Sequence, residues 1–185
     1  IESGNTVNLT RRFIDIPTLN EIFTYLVNEG YTVIYKRPDN SEFVIDQNEQ
    51  SSVDQRVNLT AFTDKGLISD YELCDHYDGK VINMNDLRNE YPQYSYNEFQ
   101  LRLFSNAEGF VSVNGGGSVL CSYFGVPIIV YVPKGKELRP NYLDSPESYF
   151  RKLSNSDVYP ILDPEANFPG TNNYSKLINK VKEIF

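Results

Sequence analysis

Residues 110 to 138, FVSVNGGGSVLCSYFGVPIIVYVPKGKEL, contain the pattern from which the fold is most directly predicted. An apolar segment runs into three glycines, a short apolar segment follows, and Gly125-Val126-Pro127 leads into a second apolar run. We predict a strand over GFVSVN, a short helix over residues 117 to 124 and a strand over PIIVYV. The lysines of KGKEL then follow the second strand directly.

The alternation between strands and helices continues on both sides of this stretch. Apolar runs predict further strands at TVNLT (6–10), YTVIYK (31–36), KVINM (80–84) and VYPIL (158–162). Helices are predicted after the capping sequences Thr18-Leu19-Asn20-Glu21 and Ser95-Tyr96-Asn97-Glu98, from Ser145-Pro146, and over SKLINKVKEIF at the end.

Strands alternating with helices at this spacing predict an α/β fold, a Rossmann-like parallel sheet with helices on both faces, because parallel strands need crossover connections. We interpret residues 1–185 as a single domain in which residues 39–75, rich in polar residues, form an irregular insertion. Within it RVNLTAF suggests a short strand and LISDYELC a helical turn. The first residue is Ile and not Met, so we interpret the chain as a piece of a longer protein.

Composition narrows the function classes. A net charge of -8 argues against a general nucleic-acid surface, which clustered Lys and Arg would carry. No apolar run is long enough to span a membrane, which favours a soluble, cytoplasmic protein. Cys74, Cys121 and the single histidine, His76, do not have the spacing of a metal site, so we expect no metal and two buried thiols.

Basic residues concentrate at the predicted ends of strands. Seven of the 17 basic residues follow three strands: Arg11, Arg12, Lys36, Arg37, Lys134, Lys136 and Arg139. In open α/β sheets ligands bind beyond the carboxyl ends of the strands, so this pattern predicts a phosphate-bearing small ligand there. The alternative is that these side chains are simply solvated.

The glycine turn Asn114-Gly115-Gly116-Gly117-Ser118 is the second part of that predicted site. Glycines between a strand and a helix let backbone N–H groups approach a phosphate. The turn is neither the dinucleotide fingerprint nor a P-loop, because the lysine of the latter is missing. A plain tight turn explains the glycines equally well.

The stretch AEGFVSVNGGGSVLCSYFGVPIIVYVPKGKEL, residues 107 to 138, resembles the nucleotide-binding C-terminal half of GT-B-fold glycosyltransferases, and most closely the bacterial surface-polysaccharide type. The resemblance implies a donor-binding domain whose enzyme moves a sugar from a nucleoside-diphosphate sugar to a glycan acceptor held by a missing N-terminal domain. It implies no cofactor, inactivity of this piece alone, and polysaccharide biosynthesis as the role. It is compatible with peripheral membrane association of the full-length protein.

The resemblance also implies residue roles. Gly115, Gly116, Gly117 and Ser118 would meet the diphosphate, and Arg11 or Lys136 would neutralise the leaving group. The loop from Val81 to Asn85 would lie near the base. The full nucleotide-sugar set is Arg11, Arg12, Lys36, Met84, Asn114, Gly115, Gly116, Gly117, Ser118, Lys136 and Glu137, and the catalytic residue is unknown.

Two positions depart from the family pattern. Leu120 stands where many retaining members carry a ribose-binding glutamate, and Val119 stands where heptosyltransferase-like members carry a histidine. The stereochemical outcome, the base and the sugar therefore stay open. Two other functions remain: a sugar-nucleotide epimerase or hydrolase half of similar fold, and a noncatalytic interaction module.

Overall fold

The computed structural model describes residues 14–37, 59–63, 66–133, 135–143, 145–146, 148–152, 155–166 and 174–185. These residues divide between two compact units, the first within residues 15–87 and the second consisting of residue 14 and residues within 88–185. Each unit contains a small parallel sheet flanked by helices, a mixed α/β architecture compatible with a Rossmann-like fold. The predicted α/β class and parallel pairing are confirmed, whereas the predicted strand TVNLT lies outside the described residues.

The first unit contains one parallel strand pair and one hairpin. In chain order its elements are α1 (Ile16–Asn28), β1 (Val33–Tyr35), β2 (Thr60–Thr63), β3 (Gly66–Ser69), α2 (Asp70–Cys74), a 3₁₀ turn (Asp75–Tyr77) and β4 (Val81–Asn83). β1 pairs in parallel with β4, with Ile34 opposite Ile82. The next helix, α3 (Met84–Asn89), crosses the boundary between the two units.

The helix α1 forms where its apolar spacing predicts, but its cap differs from the prediction. Leu19, Ile22, Phe23 and Leu26 are buried on one face. The N-cap is Asp15, whose Oδ1 accepts a hydrogen bond from the Thr18 amide at 2.9 Å. Pro17 falls in the first turn, where its fixed φ and missing N–H cost nothing, so the helix starts before Thr18.

Part of the predicted insertion has regular structure. β2 and β3 form an antiparallel hairpin in which Phe62 lies opposite Leu67. The segment LISDYELC, predicted as a helical turn, is half strand and half helix: it ends β3 and then forms α2. Ser69 and Glu72 make a complete capping box, with Glu72 Oε2 accepting from the Ser69 amide at 2.6 Å and Ser69 Oγ from the Glu72 amide at 3.2 Å.

The second unit contains a three-stranded parallel sheet. Its elements after α3 are α4 (Tyr96–Phe104), β5 (Phe110–Val113), α5 (Gly116–Cys121), a 3₁₀ turn (Ser122–Phe124), β6 (Ile128–Val132), a 3₁₀ turn (Lys136–Leu138), α6 (Tyr149–Lys152), β7 (Val158–Leu162) and α7 (Ser175–Ile184). The strands lie in the order β5, β6, β7, so the carboxyl ends of all three meet at one edge of the sheet.

The central strand β6 organises the core of this unit. All five of its residues are fully buried. Ile128, Val130 and Val132 pack into one cluster with Phe104 of α4 and Phe150 of α6. Successive side chains point to opposite faces of a strand, and Tyr131 accordingly contacts Tyr174 before α7, with ring centroids 5.2 Å apart. The strand is therefore covered on both faces, as its unbroken apolar run predicts.

Two predicted helix starts in this unit have different outcomes. Ser95 caps α4 as predicted, since its Oγ accepts from the Glu98 amide at 3.3 Å. Ser145-Pro146 does not begin a helix. The amide of Ser148 donates to the Ser145 carbonyl at 2.9 Å, which closes a turn, and α6 starts only at Tyr149.

Candidate functional site

The glycine turn lies at the carboxyl end of β5, as the sequence predicts. Its start is fixed to the sheet, because the Asn114 amide donates to the Tyr131 carbonyl of β6 at 2.9 Å. The Gly115 amide donates to Ser118 Oγ at 3.0 Å, and that hydroxyl donates to the Gly115 carbonyl at 2.7 Å. Ser118 is fully buried. Its hydroxyl is therefore hydrogen-bonded within the turn and stabilises the conformation of the turn.

Gly116 and Gly117 form the outer surface of the same turn. Both residues are exposed, and a Cβ built on either would meet no atom within 4 Å. Neither has a positive φ. The backbone conformation therefore does not require glycine at these two positions, and the space above them is open to a ligand.

The turn after β6 meets the glycine turn through side chains. Asn114 is buried, and its Nδ2 donates to Glu137 Oε2 at 3.3 Å. Gly135 has φ of +107°, and a Cβ there would lie only 2.6 Å from Glu137 Oε2. Glycine is needed here both for the left-handed backbone and for the closeness of Glu137. Asn114 and Glu137 are therefore brought together as parts of one surface.

Lys136 lies in this second turn and is exposed. Its Nζ lies 5.5 Å from the centroid of the Tyr142 ring. The hydrogen bond to the Tyr142 hydroxyl raises the pKa of Lys136, and the charge of Glu137 adds to this effect. The ammonium group therefore keeps its charge at neutral pH.

A shallow depression opens beside these residues, where the segment after β6 meets β7. It is lined by Glu137, Arg139, Asn141, Tyr142, Leu143, Pro160 and Leu162, and the space that it encloses is about 20 Å³. Sites for whole drug-sized ligands measure roughly 300–1,000 Å³. The enclosed space is about that of a single water molecule, so the depression by itself does not enclose a nucleotide sugar.

The carboxyl end of β7 contributes Asp163, which the sequence analysis missed. Asp163 is buried, and its Oδ2 accepts from the Tyr131 hydroxyl at 2.7 Å. The signal was available, since Asp163 directly follows VYPIL as a polar residue at a strand end. A hydroxyl in the middle of a buried strand needs such a partner.

In the first unit, the two cations predicted at the end of β1, Lys36 and Arg37, lie in different surroundings. Arg37 donates to Asp70 twice, from Nε to Oδ2 at 2.6 Å and from Nη2 to Oδ1 at 2.9 Å. Asp70 is 0% and Arg37 only 10% exposed at the side chain. Arg37 is thus a structural partner of α2, while Lys36 is half-buried.

Buried groups around Asp70 have shifted pKa values. The Tyr35 hydroxyl donates to Asp70 Oδ2 at 2.7 Å, and burial, aided by the charge of Asp70, raises the pKa of Tyr35 well above its usual value. Burial, with the charges of Asp70 and two other aspartates, raises the pKa of Cys74 to about 12. Cys74 and Cys121 are both buried free thiols, as predicted.

The remaining predicted residues lie as follows. Met84 is fully buried at the start of α3. The predicted strand KVINM is confirmed as β4 over residues 81 to 83, and the segment that the resemblance describes as a loop near the base, residues 81 to 85, consists of that strand and the first turn of α3. Arg11, Arg12 and Lys134 lie outside the described residues. The described part of the chain contains no cluster of three or more His, Cys, Asp or Glu suited to a metal ion. None of its helices has the length and apolar character needed to cross a bilayer.

Fold and site together define a mixed α/β protein whose parallel strands carry polar turns at their carboxyl ends. Comparison of the chain with protein-family models, with curated proteins and with solved structures finds no match.

Proposed function

We propose that this chain is the donor-binding domain of a GT-B-fold glycosyltransferase, which binds a nucleoside-diphosphate sugar while another domain holds the glycan acceptor. The observation that carries the proposal is the hydrogen bond between Asn114 and Glu137. It joins the glycine turn after β5 to the basic turn after β6, at the sheet edge where α/β proteins bind ligands.

The chemistry of the two turns suits this ligand. Gly116 and Gly117 present exposed backbone beneath open space, which allows a phosphate to approach closely. Lys136 supplies a positive charge, and negative charge grows on the diphosphate as the bond to the sugar breaks. A cation placed beforehand favours that charge separation. The Glu137 carboxylate beside the turn offers hydrogen-bond acceptors for a hydroxyl of the ligand.

The proposal assigns no catalytic residue to this chain. The acid or base of an inverting transferase would come from the acceptor domain. The chain by itself is therefore expected to bind the donor and not to transfer the sugar. A cytoplasmic location belongs to the same proposal.

The test is calorimetric titration with UDP, GDP, CDP and ADP in the presence of EDTA, with Gly116→Asp and Gly116→Asn as a matched pair. Both side chains fit the open space at Gly116, but only aspartate places a negative charge beside the diphosphate. We expect one nucleotide to bind and Gly116→Asp to weaken it at least about tenfold more than Gly116→Asn does. Equal affinities in the two variants, or no binding by the folded chain, would contradict the proposal.

A noncatalytic interaction module is the second candidate. The observation in its favour is that the Gly115 amide and the Ser118 hydroxyl satisfy each other within the turn, so the turn is complete without a ligand. This candidate predicts that none of the four nucleotides binds.

A further inference from the structure

Tyr149, at the start of α6, is contacted by two lysines from different elements. Lys136 Nζ lies 5.6 Å from the centroid of its ring, and Lys152 Nζ lies 5.1 Å from the same centroid. Lys136 comes from the turn after β6, while Lys152 ends α6. Tyr149 itself is 53% exposed. Two ammonium groups therefore converge on one exposed aromatic ring.

Among the described residues neither lysine forms an ion pair with a carboxylate, although the charge of Glu137 acts on Lys136. The ion pairs recorded among the described residues involve Arg37, Arg102 and Lys180, and neither Lys136 nor Lys152 takes part in one. A cation–π contact holds an ammonium in place without cancelling its charge. In a chain with a net charge of -8, this arrangement keeps a local pair of positive charges available to an anion.

We propose that Lys136, Tyr149 and Lys152, with Tyr142 beside Lys136, form a binding site for the diphosphate group of a small phosphorylated ligand. The inference rests on the proposed function for the source of that diphosphate, and it adds α6 to the site. Two ammonium groups on separate elements match a ligand that carries charge on two linked phosphates. Lysine binds phosphate as a point charge, and the aromatic contacts reduce the freedom that each side chain loses on binding.

The experiment is calorimetric titration of the chain with inorganic pyrophosphate and with inorganic phosphate. The variants are Lys136→Gln, Lys152→Gln and, as a control, Lys176→Gln, which removes an exposed lysine charge from α7 of the same unit. We expect pyrophosphate to bind more tightly than phosphate. Lys136→Gln and Lys152→Gln should each weaken pyrophosphate about tenfold, as for the loss of a charge-assisted hydrogen bond, and Lys176→Gln less than about twofold.

The inference is overturned if folded wild-type protein does not bind pyrophosphate, if phosphate binds equally well, or if Lys152→Gln behaves like Lys176→Gln. A parallel titration with the nucleotide identified for the proposed function separates the two proposals. Nucleotide binding that Lys152→Gln leaves unchanged would refute the α6 site and leave the donor-binding function standing. Pyrophosphate binding that depends on Lys152, without binding of any nucleoside diphosphate, would support the anion site and contradict that function.

Discussion

The buried ion pair of the first unit gives the sharpest prediction about stability. Arg37→Met removes the guanidinium from a carboxylate that is 0% exposed and leaves Asp70 with the Tyr35 hydroxyl. Removing one partner of a buried ion pair costs about 3–5 kcal/mol, because the other charge stays desolvated. A loss of this size is a large fraction of the roughly 5–15 kcal/mol that stabilises a typical domain.

Arg102→Met is the matched control. Arg102 also pairs with a carboxylate, that of Glu98 at 3.0 Å, and also lies over a tyrosine ring, 4.5 Å from the centroid of Tyr94. It differs in exposure, since its side chain is 59% exposed and that of Glu98 is 47% exposed. An exposed pair four residues apart on a helix contributes only about 0.3–0.5 kcal/mol.

The assay is urea unfolding at neutral pH, followed by far-UV circular dichroism and by tyrosine fluorescence, which is available because the chain contains no Trp. We expect the loss in the free energy of unfolding to be several times larger for Arg37→Met than for Arg102→Met. The double variant Arg37→Met/Asp70→Asn should be less destabilised than the sum of its single changes, since no buried charge is then left alone. Equal losses for Arg37→Met and Arg102→Met would refute the reasoning.

Two further predictions concern turns. Gly135→Ala should lower the free energy of unfolding by about 1–2 kcal/mol, because an L-residue is strained in the left-handed region. It should also displace Glu137, whose Oε2 would lie 2.6 Å from the new Cβ. Gly116→Ala, where the space is open, is the control, and equal losses of the two variants in urea unfolding would contradict the prediction. Hydrogen bonds from the Ser69 backbone and side chain lower the pKa of Glu72 below its usual 4.5, so the folded state binds fewer protons than the unfolded state as the pH falls through this range. The stabilisation that Glu72 gives relative to Glu72→Gln should therefore be complete at neutral pH and be lost as the pH falls through the lowered pKa of Glu72. A difference in thermal midpoint that persists at pH 2 would contradict it.

Much of the fold was readable from periodicity. VYPIL was predicted as a strand and is β7 over the same residues, and SKLINKVKEIF became α7, with Leu177 and Val181 buried. Capping was harder to predict. Thr18 and Glu21 have the spacing of a capping box, but Pro17 fits the first turn of a helix that Asp15 caps. Ser69 and Glu72 form a complete capping box in a segment that we interpreted as irregular. The strands of that segment are short and its composition is polar, so its apolar periodicity is weak.

The candidate site was predicted only where its residues are close in sequence. The glycine turn and the turn containing Lys136 both follow strands, so their position at the sheet edge could be read from the chain. Arg37 follows a strand in the same way, yet it is buried against Asp70, 33 residues away in sequence. A position directly after a strand therefore does not show whether a cation binds a ligand or has a structural role. That depends on its partner, which is distant in the sequence and which no local pattern reveals.

The alternation of strands and helices, the parallel pairing and the placement of polar turns after strands could be predicted from the sequence, because they follow from the local spacing of apolar residues and glycines. Only the tertiary structure decided that Asn114 bonds to Glu137, that Asp163 receives the Tyr131 hydroxyl, and that Lys136 and Lys152 share the ring of Tyr149. Apart from Lys152, which lies three positions after Tyr149 on α6, these contacts join residues at least 13 positions apart in the sequence, so they form only when the strands and helices pack together.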